Sequence, residues 1–134
     1  MTAETTGPDG ASVRILVVDD DSRVRRGLCA LIRSSPGLSV AGEASSVGPA
    51  CEAEELLAPD VVLLDLLLPS AEDGFELLSR LAAKGRPVVA LSIRDVLRPA
   101  ALAAGAAAFV EKCAGPDVLL QTLREVVARP AAAG

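Results

Sequence analysis

Five short runs dominated by Val and Leu recur along the chain, at residues 13–18, 38–44, 61–64, 87–91 and 107–110, and a stretch of helical period separates each from the next. Runs this brief are too short for helices, and their Val content suits strands. Strands that alternate with helical segments build a parallel sheet covered on both faces. The pattern predicts an α/β fold: a single (βα)5 doubly wound five-stranded sheet, with right-handed crossovers placing helices on both sides.

The helical segments are expected at 22–33, 48–57, 74–83, 95–104 and 116–128. In the first, Val24, Leu28, Leu31 and Ile32 form one apolar stripe, and Arg23, Arg25, Arg26 and Arg33 lie mostly off it. This is the pattern of a surface helix with one buried face, with Asp21 or Ser22 as its N-cap. Residues 1–12 and 130–134 are expected to be polar tails around one domain at 13–129.

What the chain lacks removes several chemistries. With no His among 134 residues, there is no Ser-His or Cys-His nucleophile pair and no imidazole ligand for zinc. Cys29, Cys51 and Cys113 are odd in number and far apart, against a disulfide framework or thiolate metal site, so they are expected as packing filler. The net charge of −5 and the two lone aromatics, both Phe, argue against direct nucleic-acid binding. No apolar stretch is long enough to span a bilayer, and the acidic start carries no secretory signal, so a cytoplasmic protein is expected.

Sites in doubly wound sheets form at the carboxyl ends of the strands. Asp19, Asp20 and Asp21 follow the first run, Asp65 the third, Ser92 the fourth, and Glu111 and Lys112 the fifth. Carboxylates gathered this closely repel unless a cation sits between them, and a small set of hard oxygens is what Mg2+ accepts. A carboxylate beside Mg2+ becomes a nucleophile toward a phosphoryl group, with the Ser92 hydroxyl and the Lys112 ammonium free to bind phosphoryl oxygens. An isolated Asp-Asp-Asp run could equally cap a helix and solubilise a loop; Asp65, a charge within an apolar run, is harder to account for without a function.

These residues resemble the response-regulator receiver domains of two-component signalling. The matching stretches are Ile15 to Asp21 (ILVVDDD), Pro59 to Pro69 (PDVVLLDLLLP), Asp73 and Gly74, Val88 to Ser92 (VVALS) and Phe109 to Lys112 (FVEK), in order, across roughly residues 13 to 128. The resemblance implies a CheY-like, flavodoxin-like sheet and a phosphoryl transfer from a sensor histidine kinase onto Asp65. It implies metal binding by Asp20 directly, Asp19 through water, Asp65 and the Leu67 backbone carbonyl, with Mg2+ as the ion and Mn2+ as the alternative. Ser92 corresponds to the hydroxyl that turns toward the phosphoryl group, Lys112 to its ion partner, and Phe109 to the aromatic that changes rotamer. The stretch from Gly105 to Leu123 is similar to receivers of the NarL and LuxR class. A phosphoacceptor rather than an enzyme is implied, switching its affinity for an output protein or for a second copy of itself. On this resemblance, Arg23, Arg25 and Arg26 are either a solvated helix face or part of the kinase-docking surface.

Two positions and one loop depart from the family pattern. Leu67 stands where a polar residue is usual, and Ile93 where Ala or Gly is usual; a β-branched side chain beside the acyl phosphate would either narrow water access and lengthen its life or hinder phosphoryl entry. The loop 69–74 carries one residue more than the usual spacing. Two other functions compete. A haloacid-dehalogenase type phosphatase would need a second Asp where Leu67 stands, and so lacks its proton carrier. A receiver-like interaction module that works without phosphorylation would keep the fold alone.

Overall fold

The computed structural model describes residues 12–128; the expected tails at 1–12 and 130–134 lie outside the described residues apart from Ser12. Five strands, β1 (Val13–Val18), β2 (Leu38–Ala44), β3 (Val61–Asp65), β4 (Val88–Ser92) and β5 (Ala108–Glu111), form one parallel sheet in the order β2-β1-β3-β4-β5. The helices are α1 (Ser22–Arg33), α2 (Val47–Leu57), α3 (Ala71–Ala83), α4 (Arg98–Ala103) and α5 (Pro116–Ala128). The expected α/β doubly wound sheet is therefore the observed one. Strand order reverses beside β1, so the carboxyl ends of β1 and β3 open onto a crevice.

Alternation along the strands divides the core in two. Leu16, Val18, Val62 and Leu64 pack with Leu77, Leu78 and Leu81 of α3 on one face. Ile15, Val17, Val61 and Leu63 pack with Cys29 and Ile32 of α1 and Leu119 and Leu123 of α5 on the other. Both faces of every central strand are buried, which is why the runs are apolar throughout rather than alternating.

Several element boundaries differ from expectation, those of α3 and α4 for a local reason. Helix α3 starts at Ala71, not at Gly74, because the Ser70 hydroxyl accepts from the Asp73 amide and donates to its carboxylate at 2.9 Å. The extra loop residue is thereby absorbed into a helical first turn. The segment 95–104 is a 3-10 turn at Asp95–Leu97 followed by α4, since Pro99 has no amide to bond the Asp95 carbonyl four residues back. β3 and β4 extend one residue beyond the apolar runs and take Asp65 and Ser92 into the sheet. Asp21, one of the two expected caps, is the N-cap of α1 and accepts from the Arg23 and Val24 amides. The Cys113 side, expected as filler, is exposed, whereas Cys29 is buried; all three cysteines are free. Among the described residues, no helix is long and apolar enough to cross a membrane.

Candidate functional site

The carboxyl ends of β1 and β3 deliver the acids. Asp19, Asp20 and Asp65 each offer a carboxylate oxygen within 4.8 Å of the others. Asp19 is fully buried, Asp65 is 5% exposed, and Asp20 faces solvent. Two ionised carboxylates at that separation repel by on the order of 3 kcal/mol at an effective dielectric of about 20. The turns around them are fixed by their own side chains: Asp19 Oδ1 accepts from the Asp21 amide at 2.9 Å, and Asp65 Oδ1 from the Leu67 amide at 3.1 Å.

Lys112, the first residue after β5, reaches across the sheet edge. Its Nζ lies 3.1 Å from Asp65 Oδ2 and 3.3 Å from Asp19 Oδ2. Burial pushes the Asp65 carboxyl up, and the neighbouring Asp19 charge adds to this; the Leu67 amide and Lys112 work the other way without cancelling it, so Asp65 sits above the usual carboxylate range. Burial also disfavours the Lys112 ammonium, but its hydrogen bonds and charge interactions with Asp65 and Asp19 outweigh that and hold it above the usual lysine range. One ammonium therefore serves two buried acids while a third acid stands beside them.

Ser92 closes the neighbouring strand end. It is fully buried, follows the Leu91 that pairs with Asp65 across β3 and β4, and its Oγ accepts from the Arg94 amide at 3.0 Å. Ile93, immediately after it, is 65% exposed, and so stands at the rim of the pocket rather than inside it. Leu67 is partly buried, and among the described residues its carbonyl takes no hydrogen bond. Phe109 is not in the pocket. Its ring belongs to the core beneath α4, opposite Ala90, with the Arg98 guanidinium 4.7 Å from its centroid and donating to its carbonyl at 3.2 Å. The structure thus brings Asp19, Asp20, Asp65 and Lys112 together, sets Ser92 at the adjoining strand end, and leaves Phe109 apart.

The model of the response regulator receiver domain matches residues 15–124. The chain belongs to the response regulator receiver domain family. It is 37% identical over 118 residues to the nitrate/nitrite response regulator protein NarL of Escherichia coli (strain K12), an alignment covering 85% of this chain and 54% of that protein. It is 36% identical over 121 residues to the response regulator GacA of Pseudomonas viridiflava, covering 87% and 56%. The receiver chain thus spans about half the length of these curated relatives. Among solved structures, a LuxR-family two-component response regulator from Aurantimonas sp. SI85-9A1 superposes with a TM-score of 0.81 at 29% identity, covering 88% of this chain and 86% of that one. The BeF3-activated N-terminal receiver domain of Klebsiella pneumoniae RstA gives 0.77 at 29% identity, with 87% and 99% covered. The NarL and LuxR class resemblance in the sequence agrees with these neighbours.

Two features of the receiver escaped the sequence reading. Arg25, expected on a solvated face or in a docking surface, turns back, is only 19% exposed, and donates to the Asp19 carbonyl at 2.7 Å and to Glu43 at 3.1 Å. Glu54, on α2, is 1% exposed and ion-paired with Lys84 and, at 2.7 Å, with Arg86. The one available signal for Glu54 was its position four residues after Ala50, on the inward face of α2.

Proposed function

We propose that this receiver accepts a phosphoryl group on Asp65 from the phosphohistidine of a sensor histidine kinase and so switches a protein-interaction surface. In this step an Asp65 carboxylate oxygen forms a bond to phosphorus, the nitrogen–phosphorus bond of the donor breaks, and its electron pair stays on the imidazole. The observation that carries the reading is a buried Asp65 hydrogen-bonded to Lys112 at 3.1 Å inside a three-acid cluster. Lys112 neutralises one phosphoryl oxygen, and the Ser92 hydroxyl turns to donate to another. Phe109 serves as the aromatic whose packing follows Ser92.

The donor set fits a divalent ion. Three hard carboxylates meet one ammonium, and Asp65 sits above its ordinary range chiefly because it is buried, with the Asp19 charge adding to the effect. Asp20 would hold Mg2+ directly, Asp19 through water, with Asp65 and the free Leu67 carbonyl completing the protein ligands; Mn2+ has the same oxygen preference. When bound, the ion neutralises charge on the incoming phosphoryl oxygens.

In this reading the receiver unit is 13–129 with tails at 1–12 and 130–134, the location is cytoplasmic, the chain is a phosphoacceptor and not a turnover enzyme, and its output is a partner protein or a second copy. The test is intact mass after incubation with acetyl phosphate and MgCl2. The expected result is one added phosphoryl group on the wild type and none on Asp65→Asn. An unmodified wild type would instead favour an interaction module that works without phosphorylation.

A further inference from the structure

We infer that Arg25 is a positioning residue for the acidic cluster: held by Glu43, it fixes the peptide that presents Asp20 to the metal. The inference rests on the metal reading above.

The three acids are not anchored equally. Asp65 ends a central strand and is held by Lys112 and the Leu67 amide. Asp19 is held by Lys112 through one carboxylate oxygen and by the Asp21 amide through the other. Asp20 has neither aid: it is exposed, and among the described residues no hydrogen bond or ion pair holds its carboxylate. Only its backbone can determine where that carboxylate points.

That backbone is tied at both ends of one residue. The Asp19 amide donates to the Ala44 carbonyl at 3.1 Å, and the Asp19 carbonyl accepts from Arg25 Nη1 at 2.7 Å. The Asp19 carbonyl and the Asp20 amide belong to a single planar unit, so a clamp on that oxygen sets the direction in which the Asp20 Cα leaves the strand. The guanidinium is aimed in turn by Glu43 at 3.1 Å from Nε, on the edge strand β2, and its side chain is 19% exposed. The guanidinium fork allows one side chain to serve both partners, which an ammonium could not do with the same geometry.

Charge and position predict opposite signs. Removing a cation beside three acids strengthens Mg2+ binding if Arg25 acts only through its field; removing the clamp weakens binding if it acts by holding Asp20. Loss of a residue that orients a metal ligand typically weakens affinity by about 10- to 100-fold, and since Asp20 keeps its backbone tie to Ala44 through Asp19, the lower figure applies.

The test is a MgCl2 titration of the whole chain, followed by amide chemical shifts well below the unfolding temperature, together with Tm in the absence of Mg2+. Arg25→Met is expected to weaken the Mg2+ dissociation constant about tenfold. Glu43→Gln, which leaves the guanidinium in place with a weaker guide, is expected to weaken it about threefold and keeps the test open should Arg25→Met fold poorly. In an Asp20→Asn background, Arg25→Met should add almost nothing, because the residue it positions no longer carries the charge. Unchanged or tighter binding in the folded single variants, or full additivity in the Asp20→Asn background, overturns the inference. A wild type that binds no Mg2+ overturns the metal reading and this inference with it, whereas a wild type that binds and variants that match it overturn the clamp alone.

Discussion

Gly74→Ala sets two known effects against each other at one atom. Within a helix, Ala is favoured over Gly by about 1 kcal/mol, so propensity alone predicts a more stable protein. Against this, a Cβ on Gly74 would lie 1.8 Å from the Leu66 carbonyl oxygen, 2.5 Å from its carbon and 2.8 Å from its Cα. Every one of those atoms is backbone, so no rotamer change relieves the contact; α3 and the β3 to α3 loop must part by at least about 1.2 Å to reach the 3.0 Å limit that real Cβ contacts respect. Overpacking of this kind costs typically 1 to 3 kcal/mol, and the rigid neighbour places Gly74→Ala at the upper end, for a net loss of about 2 kcal/mol. For a domain of this size that lowers Tm by roughly 8 to 10 °C. Leu66 follows Asp65, and the Leu67 amide bonds Asp65 Oδ1 at 3.1 Å, so phosphorylation by acetyl phosphate should fall as well. Gly27→Ala in α1 is the internal control: a Cβ there meets nothing within 4 Å, and the propensity gain of up to about 1 kcal/mol should appear unopposed. Urea unfolding followed by far-ultraviolet circular dichroism reads both, since the chain has no Trp for fluorescence. A Gly74→Ala protein at or above wild-type stability would refute the steric argument.

Three further outcomes follow from the same structure. Burial raises the Glu54 carboxyl, but hydrogen bonds and charges from Lys84 and Arg86 outweigh it and leave the folded value lowered, so Glu54 stabilises the fold above its ordinary pKa of 4.5 and loses that contribution as pH falls through the lowered folded value. The stability deficit of Glu54→Gln, about 1 to 2 kcal/mol near neutrality, should therefore shrink when urea titrations are repeated below pH 4.5; a deficit independent of pH would contradict the ion-pair account. Acyl phosphate on the wild type should outlive that on the Ile93→Ala, Leu67→Asn variant when decay is followed by intact mass, and an equal or shorter wild-type half-life would rule out shielding by those two side chains. Arg98→Met removes a guanidinium stacked on Phe109 and bonded to its carbonyl, and should lower stability by about 1 kcal/mol and speed hydrogen exchange in β5; unchanged exchange would mean the core alone holds the ring.

The sheet and most of the acidic pocket were legible in the sequence because both depend on local pattern. Central strands buried on two faces must be apolar at every position, which left Asp65 conspicuous after Leu64, and strand-end placement gathered Asp19, Asp20, Ser92 and Lys112 without any knowledge of distance. Arg25 was not legible because nothing in α1 distinguishes it from Arg23 or Arg26; what turns it inward is Glu43, 18 positions away on another element. Glu54 was hidden for the same reason, its two cations arriving from the α3 to β4 connection some 30 residues later. The start of α3 lies three residues before the expected Gly74 because the Ser70 cap acts through its bonds to Asp73, and Gly74 lets the helix approach the Leu66 carbonyl.

The proposed switch also requires a route from pocket to surface, and the hydrogen bonds supply a continuous one through a weakly built element. Ser92 Oγ accepts from the Arg94 amide; Arg94 precedes the Asp95–Leu97 turn; Asp95 pairs with Arg98 at 2.9 Å; and Arg98 holds both the ring and the carbonyl of Phe109. Phe109 lies opposite Ala90, two residues before Ser92, so the route returns to the strand from which it started. A hydroxyl that turns toward a phosphoryl group must strain or release its bond to Arg94, and the element at the other end of that bond is a three-residue turn followed by a six-residue helix. Helices this short take little stability from their own hydrogen bonds, and Val96 and Leu102 on this one are exposed rather than packed. The segment from Asp95 to Ala103 is therefore one that a small free energy can shift, and its exposed apolar side chains are what such a shift would move.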